Sequence, residues 1–167
     1  SVMQSNLDQL GPPEFSKEEK VYAKKYPDTL SRKDIESAYS HAGIDLVEGQ
    51  VLPESVVPGD ARPVDMGGST DVADVSWVVP TVSLWGANYA IGTPFHSWQM
   101  TAQGKSSIAI KGMTHAAMVM AATGSDLMTN KKFLDAAWKE HNVTIKKEGY
   151  MLPISLSASP PIKDMTP

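Results

Sequence analysis

The sequence predicts an α/β fold in which helices pack on a mixed sheet. The run Thr81–Ala90 is apolar and β-like, as suits a buried strand. Residues 106–122 read as a helix that is apolar on nearly all sides. Its small residues, Ala109, Ala116, Ala117 and Ala121, suit close packing on a sheet. Strand-like and helical stretches also interleave along the chain, which is the α/β layout.

Taken in order, Pro12-Pro13 blocks any helix before residue 14. Ser16 is placed to cap a helix that Pro27 stops, with Glu18 and Glu19 at its positive end and Lys24 and Lys25 at the other. Glu18 and Glu19 read as solvated. A short helix follows at Arg32–His41, ended by Gly43. Residues 46–65 carry Pro53, Pro58 and Pro63, which gives extended chain and turns, with a short strand beginning at Val56-Val57. Gly67-Gly68 turn the chain, Ser69 or Thr70 caps a short helix, and Pro80 ends it. The Thr81–Ala90 strand runs into a loop, Ile91–Trp98. Ser106 or Ser107 caps the apolar helix, which stops at Gly124, and a last helix spans about 130–141. Residues 151–167 form an extended, proline-rich tail, so the organisation is 1–150 followed by 151–167.

The 167 residues suffice for one domain, or part of a larger one. Fifteen Lys and Arg against 19 Asp and Glu give a net charge of −4. That balance argues against a nucleic-acid partner, which needs a basic face, and against attraction to anionic membranes. With no cysteine there is no disulfide framework, thiolate metal site or cysteine nucleophile, and a cytoplasmic location is expected.

Isolated motifs are weak. Gly104-Lys105-Ser106-Ser107 resembles the end of a phosphate loop, but Gln99 stands where the pattern needs glycine. Ser69 lacks the trailing glycine of a nucleophile elbow. The histidines at 41, 96, 115 and 141 form no i, i+4 pair. His41 and His141 are placed near helix C-termini and His115 in a buried helix. His96 differs, because it lies in a loop directly after the expected strand, where α/β enzymes place working residues. Asp60, Asp65, Asp71 and Asp74 match no calcium loop and read as caps and turns.

Longer stretches say more. Residues 67–82, Gly-Gly-Ser-Thr-Asp-Val-Ala-Asp-Val-Ser-Trp-Val-Val-Pro-Thr-Val, are distinctive, as are residues 92–99, Gly-Thr-Pro-Phe-His-Ser-Trp-Gln. With Ala102–Ala109, Lys111-Gly112-Met113 and Leu10–Phe15, they resemble the C-terminal part of amidohydrolases like the B subunit of p-aminobenzoyl-glutamate hydrolase. These belong to the metallopeptidase family of carboxypeptidase G, aminoacylase and the auxin-conjugate hydrolases. The resemblance covers roughly residues 6–150.

The resemblance implies the C-terminal half of a catalytic α/β sheet domain of the zinc-peptidase type, after a lid or dimerisation insertion. It implies a parent enzyme with two divalent ions, zinc or manganese, that hydrolyses an amide bond to an amino acid in an N-acyl amino acid of the p-aminobenzoyl-glutamate type. His96 matches the family's last metal ligand, and Gly68, Ser69, Thr70 and Asp71 match a loop lining the site. Both segments flank the expected strand, so they are expected to converge. The other ligands and the general base have no counterpart in this chain, which is therefore expected to be inactive alone; the parent is expected to be a homo-oligomer or paired subunit. The competing reading is a non-catalytic interaction module of the same fold, supported by nine adaptable methionines and the apolar helix.

Overall fold

The computed structural model describes residues 1–62, 68, 70–152 and 154–162. Its helices are α1 (Val2–Leu10), α2 (Lys17–Ala23), α3 (Arg32–Ala42), α4 (Val72–Val78), α5 (Trp98–Gln103), α6 (Ser107–Thr129) and α7 (Lys131–Glu148). A 3-10 turn, Pro27–Thr29, follows α2.

No strand occurs among the described residues, so the expected helices on a mixed sheet are replaced by helices joined by extended chain. A strand needs a neighbour that accepts its backbone ladder. The amides that are bonded at the end of Thr81–Ala90 find other partners. Asn88 N donates to Gly86 O at 3.1 Å, and Ile91 N makes a single bond to Val51 O at 2.9 Å. Ala90 N donates to a side chain, Gln103 Oε1, at 2.8 Å. Part of the apolar content that suggested a buried strand is left in solvent, with Val82 50% and Trp85 69% exposed, while Ala90 at its end is buried. Val56 and Val57 likewise form no strand.

Local capping signals fare better. Ser16 caps α2 as expected, in a reciprocal capping box with Glu19, and α3 opens on a second box, Ser31 with Asp34, that was not among the expectations. Gly43 closes α3 in the left-handed conformation. Two short helices, α1 and α5, arise where none was expected, each led by a capping serine, Ser1 and Ser97.

Gly124 does not stop α6. A lone interior glycine costs a helix only about 1 kcal/mol, and the chain beyond it is held from outside. Asn6 of α1 donates to Asp126 Oδ2 at 2.8 Å and to Thr123 Oγ1 at 3.5 Å. The break comes at Asn130, whose side chain accepts from Lys132 N at 3.1 Å to open α7. Because α7 continues to Glu148, His141 lies inside it and not near its end.

Helix α6 packs against both α1 and α7. Its N-terminal end meets the core: Ala23, Tyr26, Leu52, Ala90 and Ile108, with Phe15, Tyr22 and Val51 around them. Gly112 permits the close approach of the extended chain to α6, since a Cβ there would sit 2.4 Å from Ala87 O. The small-residue helix thus packs against a single extended segment where a sheet was expected. Gly92, at φ 86°, turns the chain against α3, where a Cβ would meet Ile35 at 3.0–3.1 Å.

Candidate functional site

His96 is exposed, at the end of the loop that leaves the core at Ala90. Its φ is 58°, and it is the one non-glycine residue with positive φ among the described residues. For a side chain with a Cβ that conformation is strained, and such strain clusters at functional sites. The flanking groups explain how it is held. On one side, Thr93 N and Thr93 Oγ1 both donate to Ala90 O, at 3.1 and 2.7 Å, closing a tight turn. On the other, Ser97 Oγ donates to Pro94 O at 2.7 Å and accepts from Met100 N at 3.2 Å, capping α5. Phe95 packs on Trp85 with ring centroids 5.7 Å apart. Among the described residues no hydrogen bond holds the His96 ring.

Of the loop expected to line the site, Gly68, Thr70 and Asp71 are exposed, while Ser69, like Asp65, lies outside the described residues. Thr70 Oγ1 accepts from Val72 N at 3.3 Å and donates to Asp71 Oδ1 at 3.4 Å, so Thr70 supports the first turn of α4. Asp71 occupies the N-cap position without a side-chain cap bond. This segment is anchored on α7 and the chain just after it. His141 Nε2 meets Ser76 O at 3.1 Å, Tyr150 OH donates to Asp74 Oδ1 at 2.8 Å, and Trp77 stacks on Tyr150. The Asp74 carboxylate raises the pKa of the Tyr150 phenol. No hydrogen bond or ring contact among the described residues joins His96 to Gly68, Thr70 or Asp71.

Among the described residues no three His, Asp or Glu side chains gather to hold a metal ion. His96 offers one ring nitrogen where a catalytic zinc normally takes three protein ligands. The described residues therefore do not build a metal site on their own.

Two polar features escaped the sequence reading. Glu19 is buried, 7% exposed, and not solvated. Burial alone would raise its pKa. Lys111, the Ser107 hydroxyl, the Ser16 amide and the Lys111 charge outweigh that and hold the carboxyl at about 2. Lys111 Nζ lies 2.7 Å from Glu19 Oε2 and also donates to Glu14 O at 2.9 Å. The second feature is Gln103, whose side chain is fully buried. The one sequence signal for Gln103 was its place in the distinctive stretch Ala102–Ala109; Glu19 had none that pointed to burial.

An open depression of about 390 Å³ lies beside Lys105 and Ser106, but Glu18 and Glu19 line it as well. Two carboxylates at that mouth oppose a phosphate, consistent with the broken glycine pattern. His115, expected in the core, is half-buried, with Nε2 2.7 Å from Gly11 O, which joins α6 to the end of α1.

The chain is 33% identical over 174 aligned positions to the B subunit of p-aminobenzoyl-glutamate hydrolase from Escherichia coli (strain K12). The alignment takes in 98% of this chain and 36% of that protein, so the chain spans about a third of its curated relative's length. This bears out the resemblance carried by the two long motifs. No family model matches the chain, and no solved structure does.

Proposed function

We propose that this chain supplies part of the active site of an amidohydrolase related to p-aminobenzoyl-glutamate hydrolase. The substrate class is an N-acyl amino acid of the p-aminobenzoyl-glutamate type. The observation that carries the reading is the alignment, which takes in nearly the whole chain against about a third of one hydrolase polypeptide. The strained, exposed histidine in the most distinctive motif supports it.

In this reading His96 is one ligand for a divalent metal, zinc or manganese, and the other donors and the general base lie on polypeptide outside these residues. When bound, such a metal supplies an activated water and a polarised carbonyl. Gly68, Ser69, Thr70 and Asp71 approach the substrate. The location is the cytoplasm; no helix among the described residues is long and apolar enough to cross a membrane.

The partner is polypeptide equivalent to the rest of the relative. The exposed area supports this. The chain presents 12303 Å² to solvent, against roughly 8,000 Å² for a folded monomer of its mass. Trp85, Phe95, Trp98, Ile110 and Met113 are all more than half exposed. The same surface favours a second reading, an interaction module without catalysis.

The test is hydrolysis of p-aminobenzoyl-glutamate and other N-acyl amino acids with added zinc or manganese. The chain is assayed alone and with polypeptide matching the remainder of the relative. Turnover from the mixture alone, reduced about 100-fold or more by His96→Ala, is the expected result. Complex formation without turnover supports the interaction module. Turnover by the isolated chain, or full activity after His96→Ala, overturns the proposal.

A further inference from the structure

We infer that Gln103 is a positioning residue: through Thr93 it sets the backbone conformation that presents His96. The inference rests on His96 being the working residue of its loop. It concerns how the loop is held, which the metal assignment leaves open.

Gln103 is the last residue of α5, and its side chain is fully buried although it is polar. Such a group is costly unless each polar atom finds a partner. Both do. Oε1 accepts from Ala90 N at 2.8 Å. Nε2 donates to Thr93 Oγ1 at 2.9 Å and to Gln99 O at 3.1 Å. Thr93 Oγ1 in turn donates to Ala90 O at 2.7 Å. One amide thereby grips both ends of the 90–93 turn and ties them to α5.

The geometry after that turn leaves little freedom. Pro94 has a restricted φ. Its carbonyl is taken by Ser97 Oγ, which also caps α5. Phe95 and His96 bridge two clamped points, and both clamps refer to the same helix. The left-handed conformation of His96 at φ 58° is what closes that span. A strained residue persists only when its surroundings over-determine it, and the Gln103–Thr93–Ala90 network and the Ser97 cap are those surroundings. An apolar residue at 103 would fill the space but leave the Ala90 amide and the Thr93 hydroxyl without their partner.

The test is NMR on the chain itself, reading the intraresidue amide-to-Hα NOE of His96, which is strong when φ is positive. The variants are Gln103→Met, Thr93→Val and Thr93→Ser. Loss of the strong NOE in Gln103→Met and Thr93→Val, with α6 and α7 resonances and helical circular dichroism kept, is expected. Thr93→Ser restores the hydroxyl and should keep the NOE. If Gln103→Met does not fold, the Thr93 pair decides alone. A strong His96 NOE that survives Thr93→Val in a folded chain overturns the inference. This readout involves no catalysis. Failure of the metal-ligand reading would show separately, as unchanged turnover of the assembled hydrolase after His96→Ala.

Discussion

Lys111 of α6 and Glu19 of α2 meet at 2.7 Å with the carboxylate buried and the ammonium half-exposed. The pair joins α2 to the α6 spine. Glu19 also accepts from Ser16 N at 2.7 Å, so one side chain both closes a capping box and bridges two helices. Glu19→Ala removes both, and an unfolding midpoint lowered by the equivalent of about 1–3 kcal/mol is expected. Lys111→Met should also destabilise, by leaving the carboxylate buried with fewer donors.

The same carboxylate sets an acid limit. Its pKa is depressed from 4.5 to about 2 in the folded chain. A depressed acid contributes stability that is fully present above its unfolded pKa and lost as pH falls through the folded value. Stability should therefore fall between pH 4.5 and about 2. In Glu19→Gln this component of the fall should be absent, as measured by denaturant titration across that range.

Two glycines of one helix should respond in opposite directions to alanine. At Gly124 nothing lies within 4 Å of an added Cβ, so Gly124→Ala should stabilise by about 0.5–1 kcal/mol through helix propensity. At Gly112 the Cβ would lie 2.4 Å from Ala87 O and 2.8 Å from Ala87 C. Backbone cannot yield as a side chain tip can, so Gly112→Ala should destabilise by about 1–3 kcal/mol. Thermal melts of the two variants check the signs.

At His96 the strain is measurable without activity. Left-handed backbone costs a residue with a Cβ roughly 1–2 kcal/mol. His96→Gly should therefore be more stable than His96→Ala by about 1 kcal/mol, less the extra freedom glycine brings to the unfolded chain. A His96→Gly variant less stable than His96→Ala by about 0.4–1 kcal/mol, the unfolded-chain effect alone, would show that φ at this position is unstrained in solution.

The apolar surface predicts association. Trp85 and Trp98 are 69% and 62% exposed, and large exposed apolar patches mark interaction sites or aggregation liabilities. The isolated chain should bind the dye ANS and self-associate at high concentration in sedimentation velocity. Trp85→Ser with Trp98→Ser should reduce both without lowering the melting temperature, because neither ring is in the core.

Part of what is decided within a few residues was legible in the sequence, although the serine caps of α1 and α5 were not. Ser16 caps because the helix amide it accepts from lies three residues on, and Gly43 stops α3 for an equally local reason. The distinctive stretches around Ser69 and His96 carried the resemblance that the 33% identity bears out. What the chain meets across space was not legible. An apolar run such as Thr81–Ala90 states a need for burial but not the partner that satisfies it, and here the described chain supplies no neighbouring strand. Glu19 read as solvated because nothing nearby in sequence reveals Lys111, 92 positions away, which keeps it charged when buried. Gln103 and the strain at His96 belong to the same class. Each depends on turns and helices closing on one another, so the tertiary structure alone decides which amide is gripped and which residue takes up the strain.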